Sequence, residues 1–419
     1  MKVTALGAAK EVGRSAFLID ANNTKILLDY GVMLRRQEPL FPMHVKPKDV
    51  DAVVITHAHL DHSGFVPSLF LSKGTTAYAT QPTFELSSLL IEDMIRISGF
   101  YLPFEYIDLL AMQKGSIPIG YREPFSVNSA KVTLHESGHV VGGSTIVVEH
   151  EGKRIFYTGD INTRGSKLLR TADLDIGDID LVITESTYSM GEHQPREEAE
   201  TDLVHFANEV IDRKGILFVP AFSVERSQEI ACVLREANFK HKIVMDGMAL
   251  KVNKIMSKHP NYLRDPKLFS DAIKEAEWVS GWKERKKAVK EPCVVISPAG
   301  MLVGGSGVFY LQQLATNGKN GIAMVSYQGE GTPGRALLER RVATIEGKVR
   351  KVKAEIKRFE FSGHSGRSDL FEMISKIKGN PKVLTVHGDG EACIKFAEDI
   401  HEKFGLDAHA PNTGETITV

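Results

Sequence analysis

Cysteine is scarce in this chain. Among 419 residues only Cys232, Cys293 and Cys393 occur, far apart and none in a C-x-x-C pair. That spacing argues against a disulfide framework and fits a reducing compartment. An excess of charge of one sign is also missing: Lys plus Arg number 52 and Asp plus Glu 53. A global basic footprint for nucleic acid is therefore absent, which leaves room only for a local basic groove. No apolar stretch reaches the roughly 20 residues that span a bilayer, so no membrane partner is expected. The opening Met1-Lys2-Val3-Thr4-Ala5-Leu6-Gly7 reads as a strand and turn, not a signal peptide. There is no repeat of fixed period and no low-complexity segment. With 42% hydrophobic and 25% charged residues, the composition is that of a soluble globular protein. The length suggests two or three domains, and the expected location is the cytoplasm.

What is abundant, in one place, is metal-binding chemistry. His57, His59, Asp61 and His62 fall within Thr56-His57-Ala58-His59-Leu60-Asp61-His62-Ser63-Gly64. The apolar, β-branched run Asp51-Ala52-Val53-Val54-Ile55 precedes them and reads as a buried strand. The ligands therefore sit on the loop leaving a strand's C-terminal end. His57 and His59, two apart, can point the same way from extended backbone. Asp61 and His62 follow where the chain turns and can face a second point. Mixed imidazole and carboxylate ligands suit zinc, with iron or manganese as alternatives.

Other strands end in similar chemistry. Segments around 15–19 and 25–28 read as strands joined at Asn22-Asn23, and Asp29 closes the second beside the metal loop. Asp29 is either an outer support for the metal ligands or a turn residue. Residues 82–100 have helical periodicity. His139, Asp160 and Glu185 each follow or end a strand-like run. From about 189 the rhythm changes to helix–strand alternation, with buried strands expected near 215–220, 242–245, 293–296 and 322–325. That pattern predicts a second, parallel, doubly covered sheet. After about 360 histidines return: His364 in Phe361-Ser362-Gly363-His364, and His387 in Thr385-Val386-His387-Gly388.

Taken together, these motifs resemble the metallo-β-lactamase superfamily, and the inserted second domain resembles its β-CASP branch of nucleases. The resemblance covers essentially the whole chain, in motif order. It implies an α/β fold: a metallo-β-lactamase αββα sandwich with an inserted β-CASP α/β domain. The implied boundaries are 1–188 and 361–419 for the metal domain and 189–360 for the insertion. It also implies two zinc ions per chain, with manganese as a substitute. His57, His59 and His139 would hold one, Asp61, His62 and His387 the other, and Asp160 would bridge them. Glu185, His364 and His387 match the branch's own three motifs. A histidine at the third of these is typical of RNA-acting members.

The expected function is zinc-dependent hydrolysis of phosphodiester bonds in single-stranded RNA, as a 5′–3′ exonuclease, an endonuclease or both. Two zincs about 3.5–4 Å apart can share and activate a water. The departing alkoxide needs a proton, which suits an imidazole tuned by a carboxylate. His364 is assigned as that acid and Glu185 as its orienting partner, with Asp61 the third residue at the reaction centre. Overall the chain resembles archaeal relatives of the cleavage and polyadenylation specificity factor nuclease subunit, and RNase J. Gly363 stands where the first group often has alanine and RNase J tends to have glycine, so the mode of attack stays open.

Substrate grip is read from Ser326-Tyr327-Gln328-Gly329-Glu330-Gly331-Thr332-Pro333-Gly334-Arg335. Backbone N–H groups of such a loop can cradle phosphate, and Arg335 can make a bidentate contact. Ser326, Gln328, Thr332, Gly334, Arg335 and Arg226 are the candidate phosphate contacts; a plain connector is the alternative. Glu225 stands where the family usually has glycine. The basic runs at 283–287 and 348–358 are read as solvated faces. Single-stranded RNA is the expected partner and a homodimer the expected assembly. Two other readings were weighed, a small-molecule hydrolase and a non-catalytic RNA-binding member. The large insertion with His364 and His387 opposes the first, and the complete ligand set opposes the second.

Overall fold

A computed structural model describes residues 1–34, 38–71, 75–98 and 101–419. The chain divides into two compact units. The first comprises Met1–Gly165, Arg170–Glu192 and Gly363–Val419; the second comprises Ser166–Leu169 and His193–Ser362.

The first unit is built on two seven-stranded sheets. The N-terminal sheet begins as an antiparallel meander: Lys2–Gly7 pairs with Ala16–Ala21, which pairs with Thr24–Leu28. Asn22 takes the left-handed conformation (φ 58°) that the turn between the last two requires. The sheet then continues in parallel through Ala52–Val54, Thr76–Ala79 and Ser116–Pro118. The second sheet holds Ala130–Glu136, Ser144–His150, Lys153–Tyr157, Leu181–Glu185 and Lys382–Val386 among its strands. Alternate residues of both sheets meet in one core, with Phe17, Ile19, Val54, Val132, Ile155, Ile183 and Leu384 all buried. Their opposite faces pack on helices. Gln81–Ile97 and Tyr106–Lys114 cover the first sheet, and Arg367–Lys376 and Gly390–Phe404 the second. The result is a helix–sheet–sheet–helix sandwich, and burial of these side chains at about 1.5–3 kcal/mol each is its main driving force.

Helix Gln81–Ile97 starts where Thr80 caps it by accepting from the Thr83 N–H. The sequence expectation carried this helix to residue 100; it ends at Ile97, and residues 99–100 lie outside the described residues.

The second unit carries a six-stranded sheet that is parallel throughout. The expected strands are present as Leu217–Pro220, Ile243–Asp246, Val294–Ser297 and Gly321–Met324. Two edge strands were not foreseen, Glu277–Val279 and Glu355–Arg358. The second lies inside a run read as a solvated basic face. An edge strand needs apolar contact on only part of its surface, so Glu355, Lys357 and Arg358 do not exclude pairing. The run at 283–287 falls in helix Trp282–Ala288. Among the described residues no helix is long and apolar enough to cross a membrane.

Candidate metal centre

Strands Lys153–Tyr157, Leu181–Glu185 and Lys382–Val386 run parallel and adjacent. Their C-terminal ends therefore share one edge, and Asp160, Glu185 and His387 arrive there together. Ala130–Glu136 runs in the same direction two strands away and delivers His139. From the other sheet, Ala52–Val54 leads into His57 and His59. A single helical turn, Leu60–Ser63, carries Asp61 and His62. That turn is clamped from beneath: Ser15 N donates to Asp61 O and Tyr30 N to His62 O, both at 2.8 Å. Gly31 makes the approach possible, because a Cβ there would lie 1.7 Å from Asp61 O.

His57 Nε2 lies 3.1 Å from His59 Nδ1, and His139 Nε2 lies 3.2 Å from the same atom. Asp160 Oδ2 stands 3.5 Å from His57 Nε2 and 3.4 Å from His139 Nε2. On the other side, Asp160 Oδ1 is 3.2 Å from His62 Nε2 and 3.4 Å from His387 Nδ1. His387 Nε2 is 3.4 Å from Asp61 Oδ2. Two donor groups result, His57/His59/His139/Asp160 and Asp61/His62/His387, each with its ligand atoms within 4.8 Å of one another. Asp160 touches both. A third combination of Asp160, Glu185 and His387 meets the same distance, but Glu185 is already engaged by other donors.

These donors fit zinc. With Zn–N bonds of about 2.0–2.1 Å, two imidazole nitrogens on a tetrahedron stand about 3.3 Å apart, close to the spacing seen. Asp160 Oδ1 is buried and makes no hydrogen bond of acceptable geometry, although two rings stand near it. Burial holds His57 and His139 well below the ordinary imidazole pKa and lowers His59 too. Neutral imidazole is the form that binds metal. Burial would raise Asp160, but His62, His387 and His364 around it outweigh that and hold it well below the carboxylate range.

Outer partners aim the rings. His139 Nδ1 bonds the carbonyl of Gly363 at 2.8 Å. His62 Nδ1 bonds Asp29 Oδ2 at 2.7 Å. Asp29 is completely buried, with φ 58°, and also accepts from Thr56 N, Thr56 Oγ1 and Tyr157 OH. Of the two readings of Asp29, the outer support is the one its contacts match. His387 also has positive φ, 49°, a conformation that costs about 1–3 kcal/mol outside glycine.

His364 lies beside this cluster. Its Nδ1 is 2.9 and 3.1 Å from the two Glu185 oxygens, and its Nε2 is 4.0 Å from Asp160 Oδ2. Glu185 is buried and also accepts from the Ile161 N–H at 2.7 Å. Burial would lower His364, but Glu185 and then Asp160 outweigh it and raise it to about 9. About a fifth of its side chain is exposed, so a substrate can reach it.

The other candidate residues lie in the second unit. Ser326 and Gln328 follow strand Gly321–Met324. Gln328 is buried, and its Nε2 donates to Gly300 O and Ser326 O, both at 2.9 Å. Thr332 caps helix Pro333–Arg340 and donates to Gly329 O at 2.7 Å. Gly334 gives Gln328 room: a Cβ there would lie 1.7 Å from Gln328 Oε1. Arg335 is half-exposed and paired with Glu339. Arg226 is buried, 3.2 Å from Glu225. Glu225 has φ 71°, which gives a physical reason for the family's usual glycine there. The sequence reading missed Gly363 O and Tyr157 as supports. No local pattern marks a backbone carbonyl or a tyrosine as a partner of a residue more than a hundred positions away.

Two sheets, covering helices and paired histidine–aspartate donor groups at the strand ends define a metal-dependent hydrolase of the metallo-β-lactamase class. Family models agree along the chain. The metallo-beta-lactamase superfamily matches residues 9–185. The Beta-Casp domain matches 227–337, and the Zn-dependent metallo-hydrolase RNA specificity domain matches 349–411. The chain is 36% identical to RNase aCSPSF2 of Saccharolobus solfataricus over 417 residues, 99% of this chain and 84% of that protein. It is 33% identical to Probable RNase MJ4 of Methanocaldococcus jannaschii, covering all of both, and 35% identical to Transcription termination factor FttA of the same organism, covering 72% of it. A protein of unknown function from Enterococcus faecalis V583 shares the fold, with a TM-score of 0.63 at 16% identity over 100% of this chain and 99% of that one. The chain belongs to the β-CASP ribonuclease family of the metallo-β-lactamase superfamily.

Proposed function

We propose that this protein is a zinc-dependent ribonuclease that hydrolyses phosphodiester bonds of single-stranded RNA. The observation that carries the reading is the His364–Glu185 pair set beside two donor groups that share Asp160. His57, His59 and His139 would hold one zinc, Asp61, His62 and His387 a second, with Asp160 between them. Zinc there would supply Lewis acidity to a phosphoryl oxygen and lower the pKa of a water at the site.

The chain's own groups supply the rest. Glu185 fixes His364 with the proton of Nδ1 directed at the carboxylate, which leaves Nε2 to deliver a proton to the departing alkoxide. The same carboxylate stabilises the cationic ring before transfer. Asp29 and Gly363 O fix the tautomers of His62 and His139, so each ring presents Nε2 inward. RNA as substrate is supported by the RNA specificity model over 349–411 and by relatives named as ribonucleases. Residues 1–188 and 361–419 are assigned to the metal domain and 189–360 to the β-CASP domain.

The test is zinc-loaded protein with 3′-labelled RNA bearing a 5′-monophosphate or a 5′-triphosphate. Internal fragments from both would identify an endonuclease, and monophosphate-dependent loss from the 5′ end an exonuclease. No cleavage of either, with two zincs bound, would overturn the proposal.

A further inference from the structure

The glycine-rich loop after strand Gly321–Met324 has an unusual division of labour. Two of its polar side chains, Gln328 and Thr332, turn inward onto backbone carbonyls. Gln328 ties Gly300 O to Ser326 O, Thr332 bonds Gly329 O, and Gly334 N bonds Met301 O at 3.1 Å. Between buried Gln328 and largely buried Ser326, Tyr327 is 56% exposed. An exposed aromatic is ordinary on a protein surface; what sets this one apart is its mount and its setting.

The mount is rigid. Two loops are stitched together by hydrogen bonds from Gln328 and Gly334, which follow Tyr327, and Gly334 is held to glycine by the Gln328 amide. A ring displayed this way loses little freedom when a ligand covers it. The setting is open. Gly329 lies between the Tyr327 ring and the Met301 thioether, a Cβ there being 3.7 Å from Tyr327 Cε1 and 3.8 Å from Met301 Sδ. Among the described residues nothing lies within 4 Å of where a Cβ would stand on Gly331 or on Gly304. Val303, next to Gly304, is 62% exposed. The surface is thus an aromatic and thioether ledge bordered by bare backbone. It stands at the carboxyl edge of a parallel sheet, where α/β sheets bind ligands.

We propose that Tyr327 is a stacking platform for a nucleobase of a single-stranded RNA, and so a substrate-positioning residue of the second unit. The inference rests on the ribonuclease reading for its ligand class. A flat π-face matches every base, so the contact would hold the strand without selecting its sequence.

Binding and cleavage are measured separately. A 2-aminopurine-substituted oligoribonucleotide reports stacking by loss of fluorescence, and bis(p-nitrophenyl) phosphate reports the metal site without any base. Tyr327→Ala should weaken oligonucleotide binding about tenfold, in line with alanine substitutions at stacking sites, and abolish most of the quenching. It should raise KM for RNA while leaving hydrolysis of the small diester unchanged. Tyr327→Phe should behave as wild type, and Tyr101→Ala, at an exposed tyrosine of the first unit, should change nothing. Equal affinity of wild type and Tyr327→Ala for the oligonucleotide would overturn the platform. So would parallel loss of activity on both substrates, which would mark a structural role. A wild-type protein that binds and quenches the oligonucleotide but cuts no RNA would sink the ribonuclease reading and leave the platform standing.

Discussion

Asp29 Oδ2 lies 2.7 Å from His62 Nδ1, and neither side chain is accessible to solvent. Thr56 and Tyr157 donate to the same carboxylate, so its charge is fully used inside the fold. The pair sets which His62 nitrogen faces the centre. Asp29→Asn can still occupy the space but cannot accept from all four donors. It should lower zinc affinity about 10–100-fold, as loss of a ligand's outer partner typically does. Zinc retained during dialysis against a competing chelator, counted by elemental analysis, checks this. Unchanged retention would mean that Asp29 does not set the ring.

His364 and Glu185 separate chemistry from metal binding. His364→Ala should retain both zincs and lose about 10²–10⁴-fold in kcat, the usual share of a general acid. Glu185→Gln should lose rate as well, because a neutral amide no longer stabilises the protonated ring. Single-turnover cleavage of labelled RNA with metal content measured in parallel decides the matter. Cleavage by His364→Ala at near wild-type rate would remove it from the mechanism.

Metal removal should cost stability in the first unit. Without an ion, five imidazoles and two carboxylates crowd together in two donor groups around Asp160. Zinc present at about 100–1,000 times its Kd adds about 2.7–4.1 kcal/mol by mass action. Thermal melting with and without chelator should show the shift, and Asp160→Ala should abolish the difference.

The second unit holds a buried ion pair whose loss should be felt over acidic pH. Arg196 Nη2 lies 2.6 Å from Glu229 Oε1, and Glu229 is completely buried. Burial would raise Glu229, but Arg196 and the Lys167 and Leu168 N–H groups outweigh it and lower its pKa. A folded pKa below the unfolded one adds stability above the unfolded value of about 4.3 and loses it as pH falls through the folded value. Glu229→Gln should therefore flatten the acid limb of the stability curve. It should also destabilise at neutral pH by about 1.5–3 kcal/mol, the worth of a hydrogen bond to a charged group, since Arg196 is part-buried and keeps Glu200 at 3.4 Å. Denaturant titrations from pH 3 to 7 measure both effects.

The close approach at Gly31 gives a steric prediction. A Cβ 1.7 Å from Asp61 O cannot be accommodated unless the metal turn moves. Gly31→Ala should lower zinc occupancy although it alters no ligand side chain. Full occupancy would show that the turn yields.

Much of this was legible without coordinates because short motifs carry their chemistry locally. The His57–His62 cluster, a strand followed by a ligand-rich turn, says metal wherever the rest of the chain goes. Apolar runs near 217–220, 243–246, 294–297 and 321–324 are buried on both faces, and that shows in sequence. The strand Glu355–Arg358 did not show, because with three charged residues and only Ile356 apolar it has the composition of a solvated loop. Glu225 illustrates the converse: its departure from glycine was visible, but the positive φ behind it was not.

The sequence by itself determined the class of chemistry, the cluster His57, His59, Asp61 and His62 on the loop after a strand, and the parallel sheet of the second unit. Those depend on residue type and short-range order. Tertiary structure decided which nitrogen of each histidine faces inward, that Asp29 supports His62, and that Gln328 and Thr332 bond backbone carbonyls while Tyr327 is exposed. Such facts arise from hydrogen bonds between residues tens to hundreds of positions apart. A buried polar group must find a partner wherever the fold brings one, and no local pattern records which one it will be.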